Sequence, residues 1–119
     1  MAQYNHLPIF QSAYRLTLEI YQAVHQFSRE YKYNLGQKLK EIISDFLDLV
    51  VEANSKENKI AVLENARSKL EQLRIHLRLA CDLKILGLNR YENFSRNLEE
   101  ISKQLSGWSE WAKNGSFKK

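Results

Sequence analysis

Three histidines, one cysteine and fourteen carboxylates are the groups in this chain that could ligate a metal or carry a proton. A helical bundle builds a di-metal site from inward-facing Glu-x-x-His pairs. None of His6, His25 and His76 has a glutamate three residues before it. His76 and Cys81 lie five residues apart and so project in different directions from a helix. A cysteine nucleophile needs a base beside it, and Cys81, next to Ala80 on the inward half of its helix, reads as a small buried apolar residue. There is no glycine-rich phosphate loop and no G-x-S-x-G elbow. These residues point to no enzymatic chemistry, no metal and no cofactor.

The cations carry more information. The chain has 18 basic and 14 acidic residues, a formal charge of +4. Lys56 to Gly87 holds Lys56, Lys59, Arg67, Lys69, Arg74, Arg78 and Lys84 against Glu57, Glu64, Glu71 and Asp82. Further positive charge gathers at Arg29, Lys32, Lys38 and Lys40 around the first turn, and at Lys118 and Lys119. Lysine and arginine contacts to phosphates give affinity without reading sequence. The candidate nucleic-acid-binding residues are therefore Arg29, Lys32, Lys38, Lys40, Arg67, Arg74 and Arg78, with irregularly folded RNA a suitable ligand. Arg67–Glu71 and Arg78–Asp82 have the i,i+4 spacing of ordinary surface ion pairs, which is the competing reading.

The elements that must position these groups are helices. One proline and four glycines fall near the ends of the periodic segments, which suits a helical bundle and not a sandwich or barrel. The spacing predicts helices over about 8–29, 35–53, 56–86 and 90–112, with a frayed tail over 113–119. Pro8 suits the first helical position. Asn34 with Gln37, and Asn89 with Glu92, fit capping boxes, and Gly87 fits a C-cap. Gly107 interrupts the last helix. Short connections make the expected architecture a single all-α domain, an antiparallel up-down-up-down four-helix bundle.

Two of these helices are apolar on two faces. In the third segment, Leu63, Ala66, Leu70, Leu73, Leu77 and Ala80 form one stripe, and Ile75, Leu79, Leu83 and Leu86 a second, roughly opposite. In the first, Ile9, Ala13, Leu16, Ile20, Ala23, Val24 and Phe27 form the inner stripe, and Phe10, Tyr14, Leu18 and Tyr21 another. A monomeric bundle buries one stripe per helix. The second is covered most cheaply by another copy of the chain. Coverage by the tail or by first-helix aromatics of the same subunit is the alternative.

A single cysteine allows no intrachain disulfide and suits a reducing cytosol. No apolar run approaches the ~20 residues of a membrane span, and the opening MAQYNHLPIF does not read as a signal peptide. The expected location is the cytoplasm, with no membrane partner.

Five stretches together resemble one family: LPIFQSAY, YNLGQKLKEI, LEQLRIHLRLACDLKIL, RYENFSRNLEEI and LSGW. They are similar to the accessory variability determinant (Avd) proteins of diversity-generating retroelements. That family is related to the four-helix proteins encoded by intervening sequences in bacterial 23S ribosomal RNA genes. The resemblance spans about Leu7 to Trp108. It implies a homopentameric barrel of four-helix bundles that binds a reverse transcriptase and RNA or DNA, and supports mutagenic copying of a template repeat. It brings no catalytic residues. An intervening-sequence-type bundle with a structural or ribosome-associated role is the other reading it allows.

Overall fold

In a computed structural model, which describes residues 4–115, the chain is all-helical. After a single 3-10 turn at Tyr4–His6, the elements are α1 (Pro8–His25), α2 (Arg29–Lys32), α3 (Leu35–Ser55), α4 (Ile60–Asp82) and α5 (Leu88–Gly115). The four long helices form an elongated antiparallel bundle of 53 × 22 × 21 Å. α1 and α4 each pack against both α3 and α5, so α1 and α4 stand diagonally opposite one another. Inward stripes from all four close one apolar core, which includes Leu16, Ile20, Phe46, Leu63, Leu73, Phe94 and Leu98. No polar or charged residue among the described residues is buried in it.

The helix boundaries differ from the periodicity in instructive ways. The first helix stops at His25, not near residue 29. The N–H groups of Gln26 and Phe27 donate to Ala23 and Val24, tightening the last turn, and Ser28 is extended. The single turn of α2 then carries the chain across the end of the bundle. There Gly36 approaches α1 closely, since a Cβ on it would sit 2.6 Å from Val24 Cγ1. Asn34 caps α3 through the adjacent Leu35 N–H, and its amide donates to the Glu30 carbonyl at 2.9 Å. Gln37 turns to Glu41 instead of closing a capping box.

α4 begins at Ile60, four residues later than expected, because Lys59 serves α3. Its ammonium donates to the carbonyls of Ala53 (2.8 Å), Asn54 (3.4 Å) and Lys56 (2.7 Å), a cation on a helix C-terminus. α4 ends at Asp82 in a Schellman turn. Ile85 N–H donates to the Ala80 carbonyl and Lys84 N–H to that of Cys81, with Lys84 at φ 63°. The left-handed residue is thus Lys84, and Gly87 is not the C-cap. The Gly87 carbonyl instead accepts from Tyr91 and starts α5, so Asn89 falls inside its first turn.

This turn also corrects one interface residue. Leu86 continues the outer stripe only if the helix runs on. The chain reverses at Lys84, and Leu86 swings into the core at 4% exposure. α5 runs through Gly107 without a break and includes residues 113–115 of the expected tail. Lys118 and Lys119 lie outside the described residues.

Lys84 and Gly107 each occupy a position that suits the other's type. Glycine adopts a left-handed backbone without strain, whereas alanine beats glycine in an open helical position. A Cβ at Gly107 would meet nothing within 4 Å. Lys84→Gly and Gly107→Ala are each expected to raise unfolding free energy by about 0.5–1 kcal/mol. Higher denaturant midpoints at unchanged m values would record this.

Candidate functional site

The structure divides the candidate cations into two groups. Those along the middle of α4 are matched by acceptors. Arg74 Nε lies 3.4 Å from Glu71 and its Nη1 3.3 Å from Glu99 on α5. Arg78 pairs with Asp82 at 3.8 Å, as its spacing predicts, whereas Arg67 donates to the Ser106 hydroxyl at 3.5 Å and leaves Glu71 to Arg74. Lys69, on the same helix, pairs with Asp45 of α3.

The cations around the α1–α3 connector are different. No ion pair forms at Arg29, Lys32, Lys38 or Lys40 among the described residues. Lys40 lies over the Tyr21 ring, 5.3 Å from its centroid. The Glu19–Asn97 hydrogen bond and the packing of Pro8 beside Trp108 set α1 antiparallel to α5, so the end of α1 is level with the start of α5. Lys84 and Arg90, both exposed and without an ion pair, therefore share this end. The exposed Tyr33 lies there too. Sequence reasoning did not single out these three as site residues. The available signal was position, since all three sit in or beside interhelical turns.

The two outer stripes are displayed as expected, with exceptions at Phe10 and Leu86. Tyr14, Leu18 and Tyr21 on α1, and Ile75, Leu79 and Leu83 at the end of α4, are 42% to 64% exposed. Phe10 is half-buried against the core between Tyr4 and Tyr14, with ring centroids 4.9 and 5.8 Å away. Tyr21 hydroxyl shares a 3.0 Å hydrogen bond with Ser44, so the α1 stripe leans toward α3. Ile75 borders a groove with Tyr91 and Ser95, so the α4 stripe borders α5. Because α1 and α4 are diagonal, the stripes face opposite sides of the bundle. The α1 aromatics do not reach Leu79 or Leu83.

No three His, Cys, Asp or Glu side chains among the described residues gather as a metal site. His76 bonds its own helix through Nδ1 and the Gln72 carbonyl at 2.7 Å. Cys81 is half-buried, not fully buried. No helix among the described residues is long and apolar enough to cross a membrane.

A profile of the bAvd-like family matches residues 7–112. The chain belongs to the bAvd-like family. The match covers all four long helices apart from the last residues of α5, and agrees with the resemblance carried by the five sequence stretches. No curated protein sequence matches this bAvd-like chain.

Proposed function

We propose that this bAvd-like protein is a non-enzymatic accessory factor of a diversity-generating retroelement. It works in the cytoplasm as a homopentamer that binds a reverse transcriptase and RNA or DNA, the template RNA or its hybrid with cDNA. The observation that supports this best is the pair of unlike apolar stripes on opposite sides of one bundle. Two unlike patches pair head to tail, α1 stripe on α4 stripe, and such a contact closes into a ring when its rotation permits. The subunit number of five comes from the family likeness, not from the stripes. The basic sequence pI of about 9.2 and the unmatched cations support the nucleic-acid part of the reading. A ring repeats those cations in every subunit.

The test is binding of the nuclease-treated protein to structured RNA, duplex DNA and an RNA–DNA hybrid across a salt series, with a search for a reverse transcriptase that co-purifies with it from its host. The expected log–log salt slope on duplex DNA is steep, about −0.9 per phosphate neutralised. No binding at low salt, together with no co-purifying polymerase, would overturn the reading. It would turn attention to a ribosomal RNA locus and a structural bundle.

A further inference from the structure

We propose that the connector end of the bundle binds unpaired nucleotides, one base stacking on Tyr33 and the flanking phosphates meeting Arg29, Lys32 and Lys38. This rests on the nucleic-acid reading above, and adds where the strand lies and in what form it is bound.

Tyr33 is the most exposed large apolar side chain among the described residues, at 76%. Its side chain has no hydrogen-bond or ring partner among them. A bare aromatic face in water gains by stacking, and every base offers a face of its own, so such contacts tolerate any sequence. The backbone that carries this ring is held in place. Tyr33 ends α2, whose N–H groups at Tyr31 and Lys32 bond the Ser28 carbonyl. Asn34 ties the turn to Glu30 and to α3, and Tyr31 packs on the core. A fixed backbone leaves only the rotation of the Tyr33 side chain to be lost on binding.

Charge selects the same end. Arg29, Lys32 and Lys38 meet no carboxylate, whereas Arg74 and Arg78 on the flank already do. Phosphates approaching the flank displace existing partners; at the connector they do not. A duplex hides its base faces and would use only the cations, so a single strand or a loop makes fuller use of this surface. An acidic protein surface would use the cations and leave the Tyr33 ring without a matching face.

The experiment is fluorescence titration of the full chain with a short single-stranded RNA carrying 2-aminopurine, whose emission falls on stacking, beside the same sequence as a duplex. The unaltered protein should bind the single strand more tightly and quench it. Tyr33→Ala should weaken binding roughly tenfold and remove most of the quenching. Tyr33→Phe, which keeps the ring face, should preserve both. Arg29→Glu with Lys32→Glu should lower the magnitude of the salt slope by about 1.4, at ~0.7 per phosphate contact on a single strand. Single-strand binding that survives Tyr33→Ala and the double reversal overturns this placement alone. Equal affinity for the duplex overturns the preference for unpaired nucleotides. No binding of either RNA by the unaltered protein overturns this inference and the nucleic-acid reading together.

Discussion

Aspartate at both Ile75 and Leu79 is expected to reduce the proposed assembly to single chains. Both side chains are exposed on the outer face of α4 and lie outside the buried core. The substitution should therefore leave helix content unchanged. In the proposed contact, the two carboxylates would be buried against apolar side chains of the next copy. An unpaired buried charge costs several kcal/mol, so the contact should weaken by about a thousandfold or more. Tyr14→Asp with Leu18→Asp should do the same from the other face. The mixture separates head-to-tail pairing from a symmetric contact. Each variant keeps one intact stripe of the opposite kind, so an equal mixture should form one good interface and stop at a one-to-one dimer. If the contact were α1 on α1, the α4 variant would keep its assembly. Light scattering after gel filtration distinguishes these outcomes.

Phe46→Ala should have the largest effect on folding. Phe46 has no exposed surface and sits on α3, which packs against both α1 and α4. Truncating a buried phenylalanine to alanine costs about 3–5 kcal/mol, through lost burial and the cavity left behind. A chain of this length has about 6–18 kcal/mol in total. The melting temperature should fall by roughly 10–20 °C. The proposed assembly would also stabilise the folded state by mass action. The comparison is therefore best made in the Ile75→Asp, Leu79→Asp background, where unfolding involves one chain. A fall under about 1 kcal/mol would mean that the core is not packed around α3 as described.

The inner face of every helix was legible in the sequence because burial imposes a period on it. Ile9, Ala13, Leu16 and Ile20 on α1, and Leu63, Leu70, Leu73 and Leu77 on α4, are buried where their spacing places them. The outer stripes were legible for the same reason wherever the helix continued. Leu86 marks the limit. Its spacing matches Leu79 and Leu83, but a lysine in the left-handed conformation ends the helix two residues earlier, and no propensity favours Lys84 there. The extent of the last helix was obscured by Asn114, Gly115 and Ser116, whose types suit a tail, although α5 runs on to Gly115. Charges were the least legible. Arg74 finds Glu99 across the α4–α5 groove, and Lys59 caps α3 near Trp108, its ammonium 6.0 Å from that ring centroid. Glu99 and Trp108 lie too far along the chain from these cations to leave a periodic trace, and the Lys59 cap is made to backbone carbonyls, which carry no sequence signal. The connector cations stand out only once the others are seen to be matched.

The mass of the unaltered protein in solution, by native mass spectrometry and by light scattering at micromolar concentration, tests the assembly on which the account depends. Five copies of the 14.0 kDa chain give about 70 kDa, the mass expected. A mass of 14.0 kDa at every concentration would contradict it, because the α1 and α4 stripes would then face water in the working protein. A dimer that does not grow with concentration would contradict the head-to-tail pairing.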